Sequence, residues 1–495
     1  MQTLDWIVLS GFLFSLVTIG VWAYTRVKQS RDFYVAGGKL PWWLSGVSHH
    51  VSGYSGVVFT GYAAIAYTQG FTIYIWWALG ISIAIFLGSG LIAPRWSRLR
   101  QRLRILAPTE YLVVRYNLST QQLIAWSGVV LKLFDSAGKW VAIGILLNGF
   151  AGVPLNIGIL IAGAASVIYV TAGGLWADTV NDFLQFIVQV VAGLAMFFIV
   201  MSHLGGLDSL TGIWKQLPPE NSRIFNEPYT FTFAIAMFFI VFLSYNGGTW
   251  NLAARYIATP TGKDAKKAAR LSASLYLFWP LILFFPMWAA PILLPDFGDP
   301  TKIYAGLTTT FLPAGLVGLV LASMFAATLS MTSSDANTIS AVLSRDILPV
   351  ILPKLKRPDG STPLWLARLV TFLFTLTSIT IALNNEHFGG VLGLIIKWFG
   401  GLVGLTAIPM VLGLVPFWKH AGPVAAWSCV ISGLVAFIFV NFGLDKASLT
   451  TSIAVPVLIS FIVFTAFEFA ERSKPAVKKV EELIAGISKD EKNNK

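Results

Sequence analysis

The chain has 495 residues, of which 56% are hydrophobic and 12% are charged, and its formal net charge is +12. Soluble domains carry about twice this charged fraction, so the composition excludes an ordinary soluble protein and indicates a membrane protein. A nucleic-acid partner is not expected, because the basic runs occur without a recognition module. The only cysteine, Cys429, excludes an internal disulfide bond.

Apolar segments long enough to cross about 30 Å of hydrocarbon follow one another along the whole chain. They predict an all-α integral membrane protein with about thirteen transmembrane helices embedded in a lipid bilayer. The predicted spans are 5–26, 41–68, 71–93, 121–150, 154–172, 179–202, 231–252, 269–294, 312–345, 364–384, 389–414, 422–442 and 450–470.

Lysine and arginine are concentrated in every second loop between these spans. The basic loops are 26–31, 95–104, 263–267 and 354–357. Positive charge marks the cytoplasmic side of a membrane protein. The alternation therefore predicts a multi-pass protein of the plasma membrane, with its N-terminus outside and its C-terminus in the cytoplasm.

The segment 322–347, ASMFAATLSMTSSDANTISAVLSRDI, is apolar overall but rich in hydroxyl groups. A bilayer contains no water to satisfy such groups, so they are expected to face a hydrated site inside the protein. Hydroxyl and carbonyl oxygens suit a hard cation such as sodium better than they suit zinc or a redox metal. The segment therefore predicts an ion-coupled transporter.

Two spans are interrupted by glycine and polar residues at corresponding places in the chain. One lies within PWWLSGVSHHVSGYSGVVFTG at 41–61, and the other ends in LSYNGGTWN at 243–251. Each opens a block of five spans, so the blocks are expected to cross the bilayer in opposite senses around a site near its midplane. The predicted divisions are 1–40 (extra helix and cytoplasmic loop), 41–203 (first repeat), 204–230 (extracellular loop), 231–417 (second repeat), 418–470 (two final helices) and 471–495 (charged cytoplasmic tail).

Short motifs along nearly the whole chain carry a resemblance to a known family. They are DFYVAGGKLPWW at 32–43, SGYSG at 52–56, PTEYLVVRY at 108–116, YVTAGGLWADTVNDFLQ at 169–185, ARYIA at 254–258, the serine-rich segment ending SRDI, and GLVPFWK at 413–419. In this order they resemble the sodium:solute symporter family, which includes sodium/proline, pantothenate, sialate and sugar transporters. The resemblance implies a LeuT-like 5+5 inverted repeat with broken first and sixth core helices, alternating access, and a monomeric functional unit.

The resemblance also implies a sodium site between the first and eighth core helices. Its ligands here would be the carbonyl oxygens of Val51, Tyr54 and Ala327 and the hydroxyl of Ser330. The family's next hydroxyl position is Met331, and a thioether is a poor ligand for a hard cation. Either the site has fewer protein ligands together with a water, or Thr332 substitutes, or coupling has moved elsewhere.

Some members of the family hold a second sodium ion between the fifth and eighth core helices. The matching positions are Asp182, Ser330, Ser333 and Ser334. A carboxylate beside hydroxyls would offset the dehydration of sodium. The alternative is that the serines permit close helix packing and that Asp182 is a buried aspartate at a helix end. One or two Na+ ions are therefore expected as coupling ions.

Charged residues at membrane depth are the best guide to the solute. Asp135 and Lys139 lie one helical turn apart, with Lys132 one turn earlier. They either neutralise each other or present a side chain to the solute. Lys397 could pair with a solute carboxylate, pair with Asp135 or Asp335, or extend to the membrane interface.

The other candidate solute ligands lie at the two helix interruptions. They are His49, His50, Ser52, Tyr54 and Trp250. A histidine there can bind the solute or line the helix break, and a tryptophan can stack on a ring or simply pack. Gly53 stands where proline-transporting relatives carry an acidic residue, which lowers the case for proline as the solute.

Enzyme motifs such as G-x-S-x-G, H-E-x-x-H and a Walker loop do not occur. A transporter-like sensor is less expected because the tail is short, and a channel is less expected because broken helices suit occlusion. We therefore expect a sodium-coupled symporter that imports a small polar organic solute, a sugar or polyol or an organic acid. An amino acid is the alternative solute, and proton-coupled or facilitated transport is the alternative mechanism.

Overall fold

A computed structural model describes residues 1–26, 30–355, 363–444 and 447–490, and all regular elements within these ranges are helices. Some helical side chains lie outside this description. They are those of residues 16–17, 20–21, 23–26, 30–32, 165, 168–174, 176–177 and 395–398.

The principal helices are numbered α1 to α16 in chain order. The first seven are α1 Thr3–Arg26, α2 Trp42–Val51, α3 Gly61–Gln69, α4 Tyr74–Leu91, α5 Ala93–Leu103, α6 Leu118–Ala151 and α7 Leu155–His203. The others are α8 Phe231–Gly248, α9 Trp250–Ile257, α10 Gly262–Leu293, α11 Leu316–Ile351, α12 Leu364–Leu383, α13 Gly401–Leu412, α14 Pro423–Gly443, α15 Leu449–Glu471 and α16 Lys478–Gly486.

Eight helices within the described ranges are long and apolar enough to cross a membrane, and a pair bent by 116° raises the number to nine. The predicted all-α membrane architecture is therefore confirmed, whereas the count of thirteen spans stays a prediction. The predicted spans 154–172 and 179–202 lie in the single helix α7. Other predicted spans coincide with short or broken helices: 41–68 with α2 and α3, and 389–414 with α13 and the helical turns before it.

The first helix interruption follows Val51, where α2 ends, and α3 begins only at Gly61. The amide of Gly56 within this break donates to the Oγ1 atom of Thr328 on α11, at 2.9 Å. This bond satisfies a backbone donor that the broken helix leaves free. It also fixes the break against the serine-rich helix.

The second interruption separates α8 from α9. Gly247 has φ of +121°, a conformation that side-chain-bearing L residues rarely adopt. The indole Nε1 of Trp96 donates to the carbonyl oxygen of Asn246 at 2.9 Å, so a group exposed by the break is satisfied. Both predicted breaks are therefore present in the structure.

The serine-rich segment lies in α11, whose membrane-length window is 83% buried, a larger share than in the other seven described spans. It packs along α7 and also contacts α1, α6 and α12. Its polar side chains are consequently enclosed by protein, as the absence of water in a bilayer requires.

The charged tail is packed onto the body of the protein as far as it is described. In α16 and the turn after it, Val480, Leu483, Ile484 and Ile487 are buried. Asp490 accepts from Arg98 Nε at 3.0 Å and from the Gly262 amide at 2.8 Å. The tail therefore joins α5 to the start of α10.

Candidate functional site

A cavity lies between the two helix breaks. Gly53 and Ser55 line it from the first break, and Ser244, Tyr245 and Thr249 line it from the second. The cavity has a volume of about 90 Å³. One water needs ~10–15 Å³ on this measure, so there is room for several waters or a small organic solute.

One wall of the cavity is apolar. Met237, Ile240 and Val241 follow one face of α8, because their spacing of three and four residues matches the helical turn. The apolar side chains of Leu252 and Met331 also line the cavity. Four aromatic residues line the cavity: Tyr62, Trp77, Tyr245 and Phe399.

The cavity also meets a closed ring of four charges, which we call the charge ring: Lys132, Asp135, Lys139 and Asp335. Asp135 Oδ2 accepts from Lys132 Nζ at 2.7 Å and from Lys139 Nζ at 2.9 Å. Asp335 accepts from Lys132 at 2.7 Å through Oδ1 and from Lys139 through Oδ2. Three members come from α6 and the fourth from α11.

The charge ring is almost completely enclosed, since its side chains are at most 3% exposed. Asp135 and Lys139 line the cavity, whereas Lys132 and Asp335 lie behind them. The two charges of the Asp135–Lys139 pair therefore neutralise each other and also face the cavity, whereas their contact with the solute stays a prediction. Asp335 is a partner that the sequence analysis considered only for Lys397.

A second charged cluster, the arginine cluster, lies between α2, α7, α9 and α11. The Nη2 atom of Arg255 donates to Asp178 at 2.6 Å and to Asp182 at 3.2 Å. The same guanidinium donates to Ser48 through Nε at 2.8 Å and to Ser52 at 2.9 Å. Its side chain is completely buried within this cluster.

The two carboxylates of the arginine cluster bind different serines. Asp178 accepts from the hydroxyls of Ser333 and Ser334. Asp182 accepts from Ser48 and from Ser330. The structure thus brings together the predicted second-site serines, but the carboxylate directly at Ser333 and Ser334 is Asp178.

Asp178 is a site residue that the sequence analysis did not single out. It lies four residues before Asp182, so both carboxylates project from the same face of α7. The spacing of Asp178 and Asp182 in the motif ADTVND was the feature of the sequence that could have indicated a second carboxylate at the site. Spacing alone does not say which of two carboxylates one turn apart meets a given serine.

The residues of the predicted first sodium site lie where the break of α2 meets α11. The carbonyl of Val51 accepts from the amide of Tyr54 at 3.0 Å. Ala327 is completely buried on α11, one turn before Ser330. Ser330, which is predicted to belong to both sodium sites, donates to Asp182. The ligand assignments themselves stay predictions.

The predicted histidines pack at the first break. His49 is bound at both ring nitrogens, with Nδ1 at 2.8 Å from Ser272 Oγ and Nε2 at 3.2 Å from the Tyr245 carbonyl. His50 packs edge-on against Tyr276, with ring centroids 4.5 Å apart. Neither histidine is among the residues that line the cavity.

Three other predicted solute ligands also lie away from the cavity surface. Ser52 belongs to the arginine cluster. Tyr54 stacks on Tyr276, and Trp250 donates from Nε1 to the sulfur of Met410 at 3.0 Å. The side chain of Lys397 lies outside the described residues.

Comparisons of sequence place the chain among transporters. The model of the sodium:solute symporter family matches residues 33–433. The sodium/sialic acid symporter SiaT of Proteus mirabilis is 25% identical over 466 residues, which covers 89% of this chain and 90% of that protein. The sodium/glucose cotransporter of Vibrio parahaemolyticus is 24% identical over 478 residues, covering 89% and 85%. The high-affinity proline transporter PutP of Bacillus subtilis is 23% identical, covering 87% and 91%.

Comparisons of structure confirm the LeuT-like fold. A substrate-bound, outward-open sodium-coupled sialic acid symporter superposes with a TM-score of 0.81 at 23% identity, covering 96% of this chain and 99% of that one. The nucleobase-cation symporter Mhp1, in a closed conformation, superposes with a TM-score of 0.57 at 15% identity, covering 92% and 98%. At these identities the likeness establishes the fold and leaves the solute open.

Proposed function

The chain belongs to the sodium:solute symporter family, and we propose that it imports a small polar solute through the cavity between its two helix breaks. Sodium-coupled solute symport follows from the family. The observation that supports the cavity as the solute site is its lining, because residues of both breaks, Gly53 and Thr249 among them, meet there. Discontinuous helices expose backbone groups at membrane depth, where a solute and an ion replace lost helical bonds.

We propose two sodium positions next to this cavity. The first uses the carbonyl oxygens of Val51, Tyr54 and Ala327 and the hydroxyl of Ser330. The second uses the hydroxyls of Ser333 and Ser334 with Asp178 as its nearest carboxylate, a role that the sequence analysis gave to Asp182. The hydrogen bonds from both serines to Asp178 support this assignment, and oxygen ligands of this kind suit a hard cation. The coupling number is one or two.

The orientation of the chain is supported by one contact. Arg98 belongs to a basic loop predicted to be cytoplasmic, Gly262 precedes another, and Asp490 belongs to the tail. All three meet through hydrogen bonds, as they would if all three predicted cytoplasmic parts lie on the same side. We therefore propose a cytoplasmic C-terminus and an external N-terminus in the plasma membrane. Because both breaks and both charged clusters come from one chain, we also propose a monomeric functional unit.

The test is a thermal-shift screen of the purified protein against sugars, polyols, carboxylates and amino acids, each in sodium chloride and in choline chloride. A solute at 100 times its Kd stabilises the folded state by about 2.7 kcal/mol. We expect at least one solute to raise the Tm in sodium and to do so much less in choline. If no solute in the panel stabilises the protein, or if stabilisation is equal in both salts, the proposed function is contradicted.

A further inference from the structure

We propose that the charge ring makes this transporter selective for a zwitterion with an apolar body, such as an apolar α-amino acid, and that Lys132 and Asp335 are the residues that position its binding pair. This inference rests on the proposed function, because it takes the cavity between the breaks as the solute site. It replaces a sugar or an organic acid as the preferred solute.

The charge ring at the cavity has no net charge. The charge ring contains two lysines and two aspartates, and each ammonium contacts both carboxylates. Its formal charge is therefore zero. A solute with a net charge would enter this enclosed wall without a compensating charge from the ring, and an uncompensated charge in a poorly hydrated site is costly.

Asp135 and Lys139 each keep a hydrogen-bonding group that the charge ring does not use. Asp135 uses only Oδ2 within the ring, and within the described part of the chain no side chain or amide donates to its Oδ1. Lys139 uses two of its three N–H donors, one on each aspartate. Both residues line the cavity. The wall therefore offers a negatively charged hydrogen-bond acceptor, on Asp135, beside a positively charged hydrogen-bond donor, on Lys139.

The Asp135–Lys139 pair matches the two charged groups of a zwitterion. An α-amino acid carries its ammonium and carboxylate on one carbon, so the two groups can meet Asp135 and Lys139 at the same time. The solute dipole then lies antiparallel to the dipole of the pair, and the sum of charges stays zero. Charge-assisted hydrogen bonds of this kind are stronger than those of neutral hydroxyls.

The apolar residues that line the cavity would contact the rest of the solute. Met237, Ile240, Val241, Leu252 and Met331 give the cavity an apolar side. A sugar or polyol carries a hydroxyl on nearly every carbon, and each hydroxyl turned to these side chains would lose its bond to water. An apolar side chain gains free energy at the same place. The apolar side thus favours a zwitterion over a polyhydroxyl solute.

The positioning role belongs to the two ring members that do not line the cavity. Lys132 contacts Asp135, Asp335 contacts Lys139, and Lys132 and Asp335 contact each other. They hold the pair at the cavity wall and cancel each other's charge. Removing either one alone leaves the pair in place but changes the net charge of the wall by one unit.

The first experiment uses the wild-type protein in a thermal-shift titration with sodium. The probes are L-valine, L-leucine and L-proline, then 3-methylbutanoate (valine without its amine), 2-methylpropylamine (valine without its carboxylate), glucose and myo-inositol. We expect a zwitterion to give the largest sodium-dependent stabilisation and both truncated valine analogues to give little. A larger effect from a carboxylate, a sugar or a polyol, or no effect from any of the zwitterions, would overturn the inference.

The second experiment compares the variants Lys132→Met, Asp335→Asn and the double variant. Asp335→Asn leaves the ring at +1 and should raise the affinity for 3-methylbutanoate relative to valine by about tenfold. Lys132→Met leaves it at −1 and should favour 2-methylpropylamine to a similar extent. The double variant restores zero charge, and its preference should return to the zwitterion. A preference that is the same in every folded variant would show a merely structural role and overturn the positioning claim.

The two proposals fail in different ways. If a sugar or a carboxylate binds with sodium, the sodium-coupled function stands and the zwitterion inference falls. If no solute in the wider screen binds with sodium, both fall.

A Lys397→Met variant is included in the same titrations, because the side chain of Lys397 lies outside the described residues. If the wild-type protein prefers an anion and the Lys397→Met variant prefers a zwitterion, Lys397 contributes to the net charge at the solute site. That result would overturn the inference that the charge ring alone sets this net charge to zero.

Discussion

Two aspartates one helical turn apart share Arg255 but bind different serines in this protein. Asp178 binds Ser333 and Ser334, whereas Asp182 binds Ser48 and Ser330. The sequence was sufficient to predict a carboxylate beside the serine-rich helix, because the residue types and their order in the family are readable from the motif. The choice between the two depends on how α7 is rotated against α11, and that rotation is a property of packing.

Asp178→Asn is expected to weaken sodium activation. The amide keeps the volume and one acceptor but removes the charge that offsets sodium dehydration. We expect the sodium concentration for half-maximal stabilisation by a saturating solute to rise by about tenfold or more, equivalent to about 1.4 kcal/mol. The measurement is a sodium titration followed by thermal shift.

Asp299→Asn is the matched control, because Asp299 is an exposed loop residue that caps a short turn. Its sodium titration should match that of the wild-type protein. An unchanged titration for Asp178→Asn would remove Asp178 from the second sodium site. A larger effect in Asp182→Asn than in Asp178→Asn would restore the original assignment.

Gly53→Ala is expected to disturb the first helix break. A methyl group there would lie 2.1 Å from the hydroxyl oxygen of Tyr276 and 2.9 Å from a ring carbon of Tyr245. Overpacking of this kind costs about 1–3 kcal/mol. We expect a lower Tm and weaker solute binding, and partial recovery of both in Gly53→Ala/Tyr276→Phe, since the phenylalanine lacks the clashing hydroxyl. Equal loss in the single and double variants would contradict the steric explanation.

At the scale of elements, the helix breaks were predictable and their supports were not. Glycine and polar residues inside apolar spans are visible in SGYSG and YNGG. The groups that satisfy the broken backbone come from distant parts of the chain, as with Thr328 at the first break and Trp96 at the second. Those contacts join residues more than one hundred positions apart, so local patterns carry no trace of them.

Gly247→Ala should destabilise the second break strongly. Its φ of +121° lies in a region that alanine rarely adopts, and its methyl group would lie 2.4 Å from the indole nitrogen of Trp96. Backbone strain and steric overlap together should cost about 2–4 kcal/mol. Circular dichroism melts and solute binding would both reveal the loss.

Gly212→Ala is the control for this substitution. Gly212 is helical, and a methyl group there would meet nothing within 4 Å. Alanine in a helix is favoured over glycine by up to about 1 kcal/mol, so the melting temperature should stay the same or rise. Similar losses in both variants would mean that the break does not depend on the conformation of Gly247.

At the scale of the whole molecule, fold class and family followed from composition, span order and motifs. The charge ring did not, because Asp335 is 203 and 196 residues from the two lysines that it binds, Lys132 and Lys139. The packing of the tail was equally hidden, since a charged segment after the last span looks like a solvated tail. In both cases the decisive information is three-dimensional contact between parts of the chain that are remote in sequence.

Asp490→Asn should loosen the tail from the body. The carboxylate binds Arg98 and also lies at the N-terminus of α10, where negative charge is favourable. Its loss should lower the stability of the tail contact by about 0.5–2 kcal/mol, measured as faster proteolysis between α15 and α16. Lys489→Gln, at an exposed neighbouring position, should be cleaved at the wild-type rate. Equal cleavage of both variants would contradict the role of Asp490.

The zero net charge of the ring has an electrical consequence. If the solute is neutral overall, as the ring favours, it adds no charge to the transport cycle, and the membrane voltage acts on the sodium ions with about 2.3 kcal/mol per charge for each 100 mV. The current recorded from proteoliposomes, divided by the flux of radiolabelled solute, then counts the sodium ions carried per cycle. A ratio of one charge per solute would mean that only one of the two proposed sodium positions moves an ion across the membrane, and a ratio of two would mean that both do.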